Sequence, residues 1–467
     1  MVKFFDTICA PASSVGTGAI SIVRVCGPEC FAIMDRLVQC RSGKISEAKG
    51  YTMKRGQFAD VDDVVVAVFR NPSSYTGEDA VEIYCHASSY IVSRILELLV
   101  ANGCRLAEAG EFTKRAYLNG KMDLAQAEAV ADVIAASSEA QHKVAMNQLR
   151  GGYSAELRSI REEMLQLAAL MELELDFSEE EVEFADRSQL LGLVDKAAGR
   201  CETLSDSFRL GNAIKNGVPV AIVGAPNSGK STLLNALLQD ERAIVSDIPG
   251  TTRDTIEECC VIGGVLFRFI DTAGIRDASD EIERLGIERA FAKMRQAEVV
   301  LGVVDCSSEA ALEDAKMILE KASSAAGKLV LLCNKIDASE ENLLVNKNVN
   351  DINSLVLSTD YKDIEVVVLQ ISAKQGTGLE ELRNELGNSC KISSASDNLV
   401  TNARHAQALK SAAQSLQEVR KGLGLMIPTD LVAEDLRAAL SALGSITGEI
   451  STDEVLGEIF GRFCIGK

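Results

Sequence analysis

No stretch of about eighteen consecutive apolar residues occurs in this 467-residue chain, so a membrane-spanning helix is not expected. Nor is a secretory leader, because the opening MVKFFDTICAPASS has one early Lys and soon meets Asp6. Histidine is scarce (His86, His142, His405), and the 13 cysteines include no CxxC pair; the adjacent Cys259 and Cys260 cannot chelate an ion alone. Metal binding through thiols is therefore not expected, and reduced thiols in a cytoplasmic protein are the default. Positive charge is the other deficit. With 48 Lys and Arg against 68 Asp and Glu, the net charge of −20 argues against nonspecific coating of nucleic acid. It leaves room for a local basic patch that contacts one RNA. The tail GRFCIGK puts Cys464 in the frame of a prenylation box. Gly466 is not aliphatic, Lys467 is not a usual final residue, and no polybasic run lies upstream, so a lipid anchor is not expected either.

What is present is ordinary globular composition, 47% hydrophobic and 25% charged, in a length that suits about three domains. Within 1–120, AISIVRV (19–25) and DVVVAVF (63–69) predict strands, and YIVSRILELLVANG (90–103) predicts a helix ending at Gly103. From 121 the texture turns Ala-rich and helix-periodic, with Asp123 and Gln126 at capping-box spacing. The helical pattern runs to about 213, broken at Gly151 and Gly152 and by the acidic ELELDFSEEEVEFAD (172–186). That stretch reads either as a solvated face or loop, or as a cation site. Residues 216–390 alternate apolar strands with helices, the pattern of a parallel α/β sheet. Its strands are VPVAIVG, VLFRFID, EVVLGVVD, KLVLLCN and EVVVLQIS. Helices return after 395. The simplest organisation is one helical domain, 121–215 with 391–467, interrupted by the α/β insertion.

The insertion carries the chemistry. GAPNSGKST is G-x4-G-K-S between a strand and a helix, and contains Asn227, Ser228, Gly229, Lys230, Ser231 and Thr232. Its glycines let backbone amides converge on phosphate oxygens at a helix N-terminus. Lys230 adds a point charge for the β and γ phosphates, and the Ser231 hydroxyl can ligate Mg²⁺. Asp271, Thr272, Ala273 and Gly274 close a strand and put a carboxylate near the metal and an amide near the γ-phosphate. Asn334, Lys335 and Asp337 close another. The Asp337 carboxylate can accept from both N1–H and the exocyclic amine of guanine; adenine has no such donor pair, so the motif argues for GTP over ATP. Ser372, Ala373 and Lys374 can offer a backbone amide to the guanine carbonyl. Each motif ends a strand, where α/β folds bind ligands. Between the first two lie Ser246, Asp247, Ile248, Pro249, Gly250, Thr251 and Thr252, a polar loop suited to a mobile switch in which Thr252 senses Mg²⁺ and the γ-phosphate. Ile275 stands where Ras-like enzymes carry a water-positioning Gln. Hydrolysis must recruit something else: a monovalent cation beside the phosphates, or Glu283 acting through water. Glu283 reads equally as a solvated helix-start carboxylate.

GAPNSGKSTLLNAL, SDIPGTTRD, DTAGIRDASDEIERLGIERA and NKID resemble the GTPase domain of the MnmE (TrmE) family of tRNA modification GTPases. The resemblance extends to DTICAPASSVGTGAISIVRVCGP, YTGEDAVEIYCH, AGEFTKRAYLNGKMDLAQAEAVADVI and FCIGK, and covers essentially the whole chain. It implies a multidomain α+β fold: an N-terminal α+β folate-binding domain (1–120), an all-α helical domain, and a Ras-like α/β P-loop GTPase domain (216–390) inserted in it. The folate implied is a tetrahydrofolate derivative, 5-formyltetrahydrofolate. The partners implied are a second copy in a homodimer, the FAD-dependent MnmG in a heterotetramer or larger complex, and tRNA. The activity implied is addition of a carboxymethylaminomethyl group at C5 of the wobble uridine of certain tRNAs, with K⁺-stimulated GTP hydrolysis. By position, Asn227, Ser246, Ile248 and Thr251 would surround K⁺, Ser231 and Thr252 would hold Mg²⁺, and Arg24, Glu82, Lys121 and Lys467 would contact folate. Ser246 replaces a frequent Thr of the family and keeps its hydroxyl and backbone oxygen. A GTPase switch in ribosome assembly, which shares only the GTPase motifs, is the alternative.

The folate residues also have plainer readings. Arg24 ends an apolar run as a rim residue does, Glu82 alternates in AVEIY as a solvent-facing strand residue does, and Lys121 follows the turn Asn119–Gly120. Segment 105–121 carries four basic and two acidic side chains, a modest positive patch for folate, tRNA or simply solvent. In the tail, Ser451 and Glu454 have capping-box spacing, and Val455, Ile459 and Phe463 recur on one face beside Leu456 and Phe460. A docked helix is expected there, and the resemblance implies that it carries Lys467 and Cys464 to the folate pocket. Cys464 itself reads as a nucleophile or as a small buried residue.

Overall fold

Period-two burial organises the first hundred residues. The computed structural model describes residues 6–14, 16–176, 187–239, 258–270, 294–295, 297–322, 327–339, 343–358, 364–389, 398–425, 427–449, 453–461, 463–464 and 466. It divides into two compact units, one of Met1–Ala131, Gln148–Arg200 and Ser411–Lys467, the other of Asp132–Asn147 and Cys201–Lys410.

The first unit holds β1 (Thr7–Pro11), β2 (Ile20–Cys26), β3 (Val38–Cys40), β4 (Thr52–Phe58), β5 (Asp62–Phe69), β6 (Ala80–His86) and β7 (Cys104–Leu106). They form one sheet in the order β3-β4-β5-β6-β2-β1-β7. Its neighbours are antiparallel except β1 with β7. Val23, Val25, Val66, Val68, Val81 and Ile83 point to one face and pack with Ile33, Met34, Ile95 and Leu99 from the helices Cys30–Leu37 and Ser89–Ala101. Each such side chain contributes roughly 1.5–3 kcal/mol on burial. The second helix stops at Asn102, and Gly103 follows with φ +105°, the left-handed conformation that only glycine adopts freely.

The helical part of this unit begins as its sequence signals. Asp123 N donates to Gln126 Oε1 at 3.0 Å and Gln126 N donates to Asp123 Oδ1 at 2.9 Å, a reciprocal cap for the helix Leu124–Ala135. The break expected at Gly151 separates the helix Glu139–Leu149 from Gly152–Asp176. Residues 177–186, most of the acidic stretch, lie outside the described residues. The helices Ala403–Gly424, Thr429–Thr447 and Asp453–Gly461 make up the return after 395.

The positive patch expected over 105–121 is corrected. Arg115 is only 1% exposed, and its Nη2 donates to Asp6 Oδ1 at 2.8 Å and Glu111 Oε1 at 3.0 Å. Its Nη1 reaches the Asp6 carbonyl at 3.2 Å and Glu78 at 3.4 Å. Arg105 closes the same cluster, with Nη2 2.6 Å from both Asp6 Oδ2 and Glu111 Oε1. Two of the four basic side chains are thus consumed inside the domain. Burial works against ionising Asp6 and Glu111, and the bonds from Arg105 and Arg115 outweigh it, leaving both carboxyls below their ordinary range. At Glu78 burial wins over Arg115, and its carboxyl is raised.

In the second unit, β8 (Val218–Val223), β9 (Glu258–Ile262), β10 (Val265–Phe269), β11 (Val299–Asp305), β12 (Lys328–Asn334) and β13 (Glu365–Gln370) form a sheet in the order β13-β12-β11-β8-β10-β9. The neighbours are parallel except β9, which pairs antiparallel with β10 through the turn Gly263–Gly264. The five strands expected are present; β9, with the sequence ECCVI, is an addition. The helix Glu139–Leu149 also belongs here: Ala140 N donates to Gly264 O at 3.1 Å, and Ala140 and Val144 join the core of Leu234, Val220 and Phe267. The fold is mixed α and β, with a parallel sheet of the P-loop kind. No helix among the described residues is long and apolar enough to cross a membrane.

Arg115→Met should cost roughly 3–5 kcal/mol, because it takes the cation from the part-buried Glu78 and leaves Asp6 and Glu111 to Arg105 alone. Urea unfolding at neutral pH measures this. The lowered carboxyls of Asp6 and Glu111 confer stability that is present at neutral pH and lost as pH falls through their depressed values. Glu78 acts with the opposite sign, so the deficit of the variant should shrink as the medium is acidified.

Candidate functional site

β8 is the strand from which the connections leave in opposite directions, toward β11 on one side and β10 on the other. Such a switch point opens a crevice at the strand's C-terminal end. There Gly224 starts the loop that ends in the helix Lys230–Gln239, whose Leu233, Leu234 and Leu237 are buried against the sheet. Two glycines are demanded by space. A Cβ on Gly224 would overlap the Val303 carbonyl, and one on Gly229 (φ +104°) would overlap Asn334 Nδ2. Asn227 takes the left-handed conformation without being glycine, at φ +58°. Lys230 Nζ lies within the loop, donating to Gly224 O at 3.1 Å and Ala225 O at 2.7 Å. Ser228 is fully buried, and its Oγ has no hydrogen-bond partner among the described residues. A buried hydroxyl and an ammonium at a helix N-terminus fit a phosphate. Ser231 and Thr232 follow in the first turn, both exposed.

Asn334 ends β12 and is 2% exposed. Its Nδ2 donates to Ser228 O at 2.8 Å, and its Oδ1 accepts from Ala373 N at 3.0 Å. One amide therefore joins the loops that follow β8, β12 and β13. Asp337 sits in the single-turn helix Ile336–Ser339, and its Oδ1 accepts from the Ser372 hydroxyl at 2.7 Å. Ser372 Oγ in turn accepts from Gln375 N at 3.1 Å, so the carboxylate is aimed by a fixed loop. Lys374 is exposed. Lys335 has φ +64°, and its Nζ lies 2.5 Å from Asp305 Oδ2. Asp305 is missing from the sequence reading, although it too is an acid closing an apolar strand, as Asp271 is. Ser246, Asp247, Ile248, Pro249, Gly250, Thr251, Thr252, Asp271, Thr272, Ala273, Gly274 and Glu283 lie outside the described residues. Of the expected Mg²⁺ ligands only Ser231 is described, and of the K⁺ ligands only Asn227.

In the first unit, Arg24 and Glu82 are register partners on β2 and β6, on the face opposite the helices. Arg24 Nη2 and Nε donate to Glu82 Oε1 at 2.8 and 3.1 Å, and the Tyr84 hydroxyl donates to Glu82 Oε2 at 3.2 Å. The guanidinium lies 5.5 Å from the ring centres of both Tyr75 and Phe112. The rim reading of Arg24 and the solvent-facing reading of Glu82 are corrected: both are mid-strand and part-buried. Tyr75, Tyr84 and Phe112 are additions that only register and tertiary contact could supply. Lys121 is exposed, with Nζ 3.0 Å from Pro72 O.

The tail helix docks, but on a face turned by one residue from the stripe Val455, Ile459 and Phe463 that the sequence suggests, with Ile459 only partly buried. Leu456, Phe460 and Phe463 pack on Leu124 and Ala127. Gly110 N donates to Cys464 O at 3.4 Å. Gly466 has φ +100°, and a Cβ there would overlap the Pro11 carbonyl at the end of β1, the strand beside Arg24. Cys464 is exposed, which corrects its reading as a buried residue. Ser451 and Lys467 lie outside the described residues.

With that geometry established, the chain is similar to known proteins along its length. The model of the MnmE helical domain matches residues 124–464, and that of the GTP-binding protein TrmE N-terminus matches residues 7–121. A tRNA modification GTPase MnmE of Porphyromonas gingivalis is 50% identical over 474 aligned positions, covering 99% of this chain and 98% of that protein. The chain belongs to the MnmE family of tRNA modification GTPases. The MnmE protein of Flavobacterium johnsoniae is 47% identical, with 99% of each chain covered. A solved GTP-binding protein of Sulfolobus solfataricus in complex with GDP matches 50% of this chain and 66% of its own, at 19% identity and a TM-score of 0.29, and adds nothing to that assignment.

Asn334→Ala would strand the Ser228 carbonyl and the Ala373 amide together. Each buried group left unpaired costs about 1–3 kcal/mol. Nucleotide affinity, read by titration with a fluorescent GDP, should fall at least tenfold, while Lys374→Ala at the exposed end of the same loop should have a smaller effect.

Proposed function

We propose that this chain is a GTP-hydrolysing protein of tRNA wobble-uridine modification. It works as a homodimer with the FAD-dependent MnmG, in a heterotetramer or larger assembly in the cytoplasm, and adds a carboxymethylaminomethyl group at C5 using a folate one-carbon unit. The observation that supports it best is the joining of the phosphate loop to both base-side loops through Asn334, in a chain of this family. The loop amides and Lys230 bind the β and γ phosphates, and the Asp337 carboxylate, aimed by Ser372, accepts from the guanine edge. Ser231 with Thr252 would hold Mg²⁺, and Asn227 with Ser246, Ile248 and Thr251 would hold K⁺. Those cations supply positive charge where negative charge builds on the phosphates. Glu283 positions water in place of the Gln that Ile275 replaces.

Arg24, Glu82, Lys121 and Lys467 bind 5-formyltetrahydrofolate on the first unit, and Cys464 stands at that pocket as a nucleophile. Arg24 is held by Glu82 and lies near two rings, an arrangement suited to a flat heterocycle with a carboxylate tail.

Mass spectrometry of tRNA from a strain lacking the gene tests the function. Loss of the C5 modification at the wobble uridine is expected, and unchanged tRNA sinks it. Hydrolysis should be faster in K⁺ than in Na⁺ at equal ionic strength; equal rates remove the cation from the mechanism. Gly466→Ala forces a side chain onto the Pro11 carbonyl, so it should weaken 5-formyltetrahydrofolate binding by calorimetry while nucleotide affinity stays unchanged.

A further inference from the structure

Asp305 closes β11 directly opposite Asn334 in the parallel register. Its carboxylate is held at both oxygens. Oδ1 accepts from Ser307 N at 3.0 Å and Ser307 Oγ at 2.6 Å, while Oδ2 faces Lys335 Nζ at 2.5 Å. The loop that supplies Ser307 is fixed in its turn. Asn348, buried in the helix Leu343–Ser358, donates through Nδ2 to Cys306 O at 3.0 Å and Ser308 O at 2.9 Å. Lys335 is therefore constrained twice, by a left-handed backbone between Asn334 and the Asp337 turn, and by a carboxylate that cannot swing away. The other site lysine has a separate task, since Lys230 Nζ sits on the Gly224 and Ala225 carbonyls.

We propose that Asp305 is a positioning residue for guanine-nucleotide binding, anchoring the ammonium of Lys335 so that its four-carbon stem is preformed as an apolar edge beside Asp337. A free lysine stem samples many rotamers, and a ligand that packs on it must first order it. Anchoring it in advance removes that cost from binding and slows release. Burial works against ionising Asp305, but the bonds from Lys335 and Ser307 outweigh it and hold its carboxyl below the ordinary range, so the anchor stays charged at neutral pH. The inference rests on the guanine-nucleotide reading of the site.

The test is release of N-methylanthraniloyl-GDP from the full-length protein, with steady-state GTP hydrolysis alongside. Asp305→Asn keeps the size of the side chain and removes its charge. Release should be roughly three- to tenfold faster, as suits a part-exposed ion pair. KM for GTP should rise by a similar factor with kcat unchanged, a split that general loosening of the fold would not produce. Ser307→Ala, which keeps the Asp305 charge, should accelerate release less but in the same direction, and it serves alone if Asp305→Asn does not fold. In a Lys335→Met background the Asp305→Asn change should add nothing. Unchanged or slower release, a matching fall in kcat, or an undiminished effect in the Lys335→Met background each overturns the proposal. Failure of the unaltered protein to bind the probe overturns the site reading itself, and this proposal with it.

Discussion

The side-chain amide of Asn334 is the interaction on which the nucleotide site depends. It is planar, buried and bonded at both ends, so it sets the spacing between a carbonyl of the phosphate loop and an amide of the loop after β13. Three chain segments far apart in sequence meet at this one group. The requirement for glycine at 229 follows, because the amide occupies the place a Cβ would need. A buried amide left half satisfied costs more than it contributes when complete, so the three loops form together or not at all. Asp337 and Ser372 repeat the device one step outward, with a hydroxyl rather than an amide as the link.

The first unit solves a similar problem with charge. Arg24 and Glu82 meet across β2 and β6, and the tail is held by packing of Leu456, Phe460 and Phe463 on Leu124 and Ala127. Apolar contact positions the arm.

What was legible in the sequence was local or periodic. The Asp123–Gln126 cap and the alternation in β2 and β5 involve residues within a turn or two of one another, and each is present; the apolar tail helix is present too, with its packed face turned by one residue. Strand-ending motifs were legible because their residue types are rarely combined for any other purpose. Three things were not. In ECCVI the apolar run is only four residues long and two of them are cysteines, so the signal for β9 is weak, and pairing with β10 makes it a strand. Arg115 looks like a surface cation because nothing nearby in sequence announces Asp6 and Glu78 as partners. The helix Glu139–Leu149 has the same Ala-rich texture as its neighbours, and only tertiary packing reveals that it joins the α/β core.

The buried guanidinium of Arg115 also limits how this domain can drift under substitution. Lysine would offer one ammonium where a planar fork now serves three carboxylates and a carbonyl in different directions. Removing any one acid shifts the charge balance felt by the others, so no member of the cluster is a neutral position. The residue just before β1, the approach to β6 and the helix Glu111–Leu118 are thereby coupled, so the effect of a change at one of them depends on the other two.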